Sequence, residues 1–140
     1  MLWLLLEPAA DSQRTALAQG LAQLPPGAAL LWLGCRVVGS VLIVPVAEEL
    51  AFRGYMMQQL TAKDYAVSGP ERVPWRAVAL SSLLFGLLHG RWLAGTAAGV
   101  GYALLLTRRG RLADAVLAHM TTNALIAAMV IVQHRWALWG

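Results

Sequence analysis

Glu48-Glu49-Leu50-Ala51-Phe52-Arg53 places two adjacent carboxylates and a guanidinium at the end of a run too apolar to hold them casually. The stretch before it, residues 28–47, carries a single charge, Arg36. Ionisable groups beside or within a membrane-length apolar segment are costly, so they default to a functional reading. Two further polar pairs follow in equally apolar surroundings, Phe85-x-x-x-His89 and His119-x-x-x-Asn123. Two carboxylates, two imidazoles, an arginine and an amide on three apolar segments read as one buried reaction centre.

Composition supports a membrane setting. The chain has 140 residues, of which 59% are hydrophobic and 13% charged. An average soluble domain is roughly 25% charged. Mean hydropathy is +0.60. The net charge of +4 comes from few residues, mostly in short connections. It is topology information rather than a nucleic-acid footprint, because no basic cluster is interleaved with aromatics. Cys35 is the only cysteine, which excludes an intrachain disulfide and a thiolate metal cluster. Beside Arg36, with no histidine near in sequence, it reads as a small apolar filler.

Working outward, residues 1–6 form an apolar stub halted by Glu7-Pro8, too short and too little basic at its start for a signal peptide. It reads equally well as the end of a helix from a longer parent chain. Leu17, Leu21 and Leu24 recur at helical spacing among Gln13, Arg14, Gln19 and Gln23, so residues 11–24 are expected to form a short amphipathic helix at the membrane surface. Pro25-Pro26-Gly27 ends it. The division expected is an N-terminal segment, residues 1–27, and a membrane core, residues 28–140.

The fold class expected is all-α, a polytopic membrane helix bundle of about four transmembrane helices plus the short N-terminal helix. The first span starts near Ala28, and its helix continues to about Leu60. At about 1.5 Å per residue it would measure about 50 Å, against a hydrocarbon slab of about 30 Å, so it must tilt, bend at Pro45 or project. A polar connection, residues 61–76, leads to spans at residues 77–89, 92–107 and 112–132. Gly90-Arg91 separates the second from the third, and Arg108-Arg109-Gly110-Arg111 makes a tight basic turn before the fourth. The middle two are shorter than a straight crossing needs, so either they are partial crossings inside the bundle or residues 77–107 form one interrupted helix; two helices are expected, because Gly90-Arg91 continues a membrane helix poorly. Gly86, Gly95, Gly99 and Gly101 are expected to permit close helix packing. Alternating spans put Lys63, Arg72, Arg76, Arg108, Arg109 and Arg111 on one side, which the positive-inside rule makes cytoplasmic, with Arg14, Arg91 and Arg135 opposite. His134, Trp136 and Trp139 close the chain at an interface-like boundary.

Residues four apart share a helix face, which pairs Glu49 with Arg53, Phe85 with His89 and His119 with Asn123. Glu48 points about 100° away from Glu49, so the two carboxylates need not share a task. One can face a cavity while the other pairs with Arg53. Counted along their helices, Glu48, His89 and His119 all fall about 12 to 20 Å from the cytoplasmic ends, a common level. A carboxyl group taken out of water is a competent general base near neutral pH. A neighbouring imidazole can orient the same water, and a second imidazole with an amide can donate to a developing oxyanion. This equipment suits peptide-bond hydrolysis by an activated water without a serine or cysteine nucleophile. Phe85 reads as packing at the site, and His134 as a bystander.

The motifs Glu48-Glu49-x-x-x-Arg53, Phe85-x-x-x-His89 and His119-x-x-x-Asn123 resemble, in order and approximate spacing, those of the CAAX-protease and bacteriocin-processing (CPBP, or Abi) family of intramembrane proteases. The resemblance covers residues 44–131. It implies that Glu48 with His89 activates the water, that Glu49 supports the site with Arg53 as ion partner, and that His119 and Asn123 stabilise the oxyanion. The surroundings of the first two motifs also resemble bacterial members associated with exosortase protein sorting. The implied location is the bacterial cytoplasmic (inner) membrane. Implied partners are the lipid bilayer and a membrane-protein or lipidated-peptide substrate, with no nucleic acid; upstream helices or a sorting-system partner would complete the site. Members often have more helices, so the chain is a minimal member or a fragment.

The family implies a glutamate-type mechanism with no metal cofactor. The alternative is a divalent ion such as zinc on Glu48, Glu49, His89 and His119, although no His-Glu-x-x-His helix marks a zinc protease. Two other functions compete. One is a non-catalytic scaffold or bacteriocin-immunity protein of the same fold. The other is a small ion or proton transporter using buried Glu and His, which short spans without a repeat make less apt.

Overall fold

The structure, a computed structural model, describes residues 11–61 and 73–139. The expected stub at residues 1–6 and most of the polar connection, including Lys63 and Arg72, lie outside the described residues. Helices α1 (Asp11–Ala22), α2 (Pro26–Thr61), α3 (Trp75–Leu87), α4 (Trp92–Arg109) and α5 (Leu112–Gln133) precede a 3₁₀ turn, Trp136–Trp139. No strand occurs among the described residues. The chain divides into two compact units, one of them Pro45–His119 and the other the described residues up to Val44 and from Met120 onward.

Proline explains where α2 begins. Pro25 is extended, with φ −55° and ψ 144°, and Pro26 takes the first helical turn, where a missing N–H costs nothing. Within α2 the same residue type has another effect. Pro45 offers no N–H to the turn before it, and its ring crowds a carbonyl there. The helix answers with a wider π-helical turn at Gly39–Ile43, closed by the Val44 N–H on the Gly39 carbonyl. A second π-helical turn, Leu50–Met56, follows directly on the two glutamates. Such turns occur often at functional sites.

Among the described residues two helices are long and apolar enough to cross a membrane, α2 with 36 residues and α5 with 22. At about 1.5 Å per residue α2 reaches about 54 Å, well beyond a slab of about 30 Å. Only 6% of its most apolar window is buried, and 22% of that of α5, so their apolar sides face outward. Leu30, Leu31, Ile43, Leu117, Leu125 and Val132 are among the exposed residues. The expected count of about four is therefore met by length and hydropathy at two helices. Helix α3 is apolar but has 13 residues, and α4 devotes its buried face to small residues, Ala94, Gly95, Gly99 and Ala103.

The predicted break at Gly90 is present. Helix α3 ends at Leu87, the His89 N–H closes on the Gly86 carbonyl at 2.9 Å, and α4 starts at Trp92. The two helices pack tightly as a hairpin. A Cβ on Gly86 would lie 2.0 Å from Thr96 Oγ1 and 2.5 Å from the Trp92 carbonyl. One on Gly95 would lie 3.0 Å from Gly86 Cα, and one on Gly99 3.0 Å from the Arg53 guanidinium. Gly101 differs from the expectation, since it faces open space. Gly110 ends α4 in the left-handed region, φ 69°, with its N–H on the Leu106 carbonyl. Asp114 on the first turn of α5 then takes Arg111 at 2.9 Å and Arg109 at 3.4 Å.

Within Pro45–His119 the core has two parts. Phe52, Phe85, Tyr102 and Ala115 form one, and Met57, Ala77, Ala103 and Leu106 the other. In the other unit Arg36, the lone charge of its stretch, donates to the Trp139 carbonyl at 2.8 Å and lies 5.8 Å from that indole ring. Cys35, read as an apolar filler, is exposed.

Gly86→Ala should destabilise the protein by about 1–3 kcal/mol, because the atoms in its way include backbone. Gly101→Ala should be neutral or slightly stabilising. Denaturant unfolding of both variants in detergent micelles measures this, and equal midpoints would contradict the packing described.

Candidate active site

The site grows from a charge that cannot reach water. Arg53 and Glu49 both have fully buried side chains, and Nη1 of Arg53 meets Oε1 of Glu49 at 3.1 Å. One carboxylate oxygen cannot satisfy a guanidinium with five N–H donors. Nη2 therefore crosses to α4 and donates to the Gly99 carbonyl at 2.8 Å. The guanidinium carbon also lies over aromatic rings, 4.4 Å from the centroid of Phe85, 5.6 Å from Tyr102 and 5.9 Å from Phe52. Such contacts attract a cation to the ring face. Phe85, read from the sequence as packing, is the hub of this cluster and only 1% exposed.

His119, on α5, closes the cluster. Its Nδ1 lies 3.0 Å from Glu49 Oε1, and its Nε2 lies 3.7 Å from Glu48 Oε2. One imidazole thus addresses both carboxylates. A carboxylate only accepts, so Nδ1 carries the hydrogen toward Glu49. The ring stacks on Tyr102, with centroids 4.7 Å apart and planes 16° from parallel, and meets Phe85 edge-on at 5.6 Å. The two glutamates differ in exposure. Glu49 is sealed, whereas the Glu48 side chain is 25% exposed.

His89 sits at the end of the α3–α4 hairpin. Its Nδ1 donates to the Phe85 carbonyl at 2.8 Å, which leaves Nε2 as the nitrogen with a lone pair in the neutral ring. Its ring is 4.6 Å from that of Phe85. The imidazole within ion-pairing distance of Glu48 is that of His119. Asn123 belongs to the other unit, where its amide donates to the Ser40 carbonyl at 2.8 Å. Among the described residues no three His, Cys, Asp or Glu side chains gather in a way that would hold a metal ion.

A family model described as type II CAAX prenyl endopeptidase Rce1-like matches residues 27–125. The chain belongs to this family. No curated protein and no solved structure matches it. All three motifs fall inside the matched residues, and the resemblance noted in the sequence holds at family level. The family and the apolar helices together make this a membrane protein, and a peptidase by kinship.

Gly99 and Tyr102 were not among the sequence candidates. A signal for them existed in the donor count of Arg53, which Glu49 alone leaves unmet. They lie three apart on α4, hence on one face.

Arg53→Met should cost about 3–5 kcal/mol of unfolding free energy, since it strands the Glu49 charge. Arg53→Lys should recover little, because a point charge cannot span Glu49 and Gly99. A Glu49→Gln, Arg53→Met double variant should regain most of the loss. Additive losses in that double-mutant cycle would show the two residues to be uncoupled.

Proposed function

We propose that the chain is an intramembrane endopeptidase in which Glu48 is the general base. The observation that carries this is the unequal pair: Glu49 is consumed as the counter-ion of Arg53, while Glu48 keeps a partly exposed carboxylate beside His119. In the reaction Glu48 takes a proton from water, and the resulting hydroxide attacks the scissile carbonyl carbon. The carbonyl oxygen becomes an oxyanion on the Nε2 side of His119, whose Nδ1 is engaged by Glu49. Collapse breaks the C–N bond, and Glu48 returns the proton to the departing amine. His89, with Nδ1 on the Phe85 carbonyl, offers Nε2 to orient the water. Asn123 has two amide hydrogens, and an oxyanion role would use the one that Ser40 does not take.

In this reading the substrate is a membrane protein or lipidated peptide in the bacterial cytoplasmic membrane. Helices α3 and α4 are partial crossings that bring the bundle to four. The reaction needs no metal. Such general-base catalysis is worth about 10²- to 10⁴-fold.

Cleavage of a farnesylated peptide ending in a Cys-aliphatic-aliphatic-X sequence tests the reading in detergent. Glu48→Gln should lower kcat about 10²- to 10⁴-fold with the fold retained. Activity should survive strong chelators. Dependence on added zinc, with stoichiometric zinc in the purified protein, would overturn the metal-free mechanism. A cellular function that survives Glu48→Gln would assign the chain to the scaffold class.

A further inference from the structure

We propose that Tyr102 is a positioning residue of this centre: its ring fixes the plane of His119 so that one imidazole serves both Glu48 and Glu49. The inference rests on the proposed peptidase reading and extends it to α4, a helix that bears none of the sequence motifs.

The argument starts from the freedom of a histidine ring. The outer torsion of His is broad, with no sharp staggered wells. The Nδ1 contact with Glu49 fixes one point of the His119 ring. Rotation about that point would swing Nε2 away from Glu48, which it faces at 3.7 Å. The Tyr102 face lies nearly parallel to the imidazole, 16° between planes at 4.7 Å, so out-of-plane rotation drives the imidazole edge into the phenol ring. Phe85 stands at 79° to the same ring and blocks a second direction.

Tyr102 is itself held. It is buried in the core with Phe52, Phe85 and Ala115. One turn earlier on the same helix, the Gly99 carbonyl is gripped by Arg53, whose guanidinium also lies 5.6 Å from the Tyr102 ring. Arg53 therefore references both the carboxylate side, through Glu49, and the ring that orients His119. The absence of a side chain at Gly99 permits this, since a Cβ would meet Arg53 at 3.0 Å and Phe85 at 3.1 Å.

The test compares Tyr102→Leu with Tyr102→Phe in the full chain in nanodiscs, with the farnesylated peptide as probe and histidine-labelled NMR as a second readout. Misplacement of a reacting group by about 1 Å costs on the order of 100-fold. Tyr102→Leu should therefore lower kcat by about ten- to hundredfold, with KM within about twofold, and move the pH–rate profile. Tyr102→Phe, which keeps the flat ring, should restore most of kcat and the parental profile. The His119 ring signals should shift in the leucine variant and stay near parental in the phenylalanine variant. If the leucine variant does not fold, Tyr102→Met replaces it under the same criteria. A leucine variant with parental kcat and parental His119 signals overturns the proposal, and so does a folded phenylalanine variant as impaired as leucine. Should the parent protein cleave nothing, the peptidase reading fails, and the NMR comparison alone decides whether Tyr102 orients His119.

Discussion

A guanidinium sealed among helices must find its solvation inside the protein, and the way Arg53 does so organises the rest of the site. Water is replaced by one carboxylate oxygen, one backbone carbonyl and three aromatic faces. Each partner imposes a condition. The carboxylate removes Glu49 from other chemistry. The carbonyl requires α4 to approach so closely that a Cβ at position 99 would crowd Arg53, Phe85 and Ser82. The aromatic faces bring Phe85 and Tyr102 to the edge of the imidazole that serves both glutamates. Breaking such a pair is far more costly than its net contribution suggests, because the remaining charge has nowhere to go. The pair therefore acts as a constraint on geometry more than as a source of stability.

Backbone irregularity serves the same end. The π-helical turn Leu50–Met56 contains Arg53 and begins immediately after Glu49. A regular helix would carry side chains past this point at about 100° intervals. The wider turn occupies the segment where Glu49, Phe52 and Arg53 are buried together. Phe52, Arg53 and Met57 are buried there with Glu49, three, four and eight residues after it, the spacing of one helix face.

These points divide what a sequence reader could see from what was hidden. The Glu49–Arg53 pair was legible because four-residue spacing on an apolar helix leaves a charge little choice of partner. The split at Gly90 was legible because glycine and arginine together continue a buried helix poorly. The different fates of the two glutamates followed from helical rotation. What periodicity cannot say is which faces of separate helices meet. That His119 lies beside Glu48, and that the Asn123 amide bonds the Ser40 carbonyl, could not be read from spacing. Gly99 and Gly101 are indistinguishable as letters, yet one lies against Arg53 and the other against nothing. The count of crossings was read from apolar runs, but α3 is limited by its length and α4 by its small residues.

Charge balance explains why the remaining asymmetry suits a reaction. Glu48 and Glu49 carry two negative charges, and Arg53 supplies one positive charge. The imidazole of His119 stands between the two carboxylates. In the proposed reaction Glu48 gains a proton as the substrate oxygen gains negative charge, so the net charge of the centre and its substrate does not change. Of the two carboxylates only that of Glu48 is partly exposed, since Glu49 is closed off and bound to Arg53. Burying one acid to hold the cation, and leaving its neighbour partly exposed, lets a single Glu-Glu pair provide a rigid frame and, in the proposed reaction, the general base.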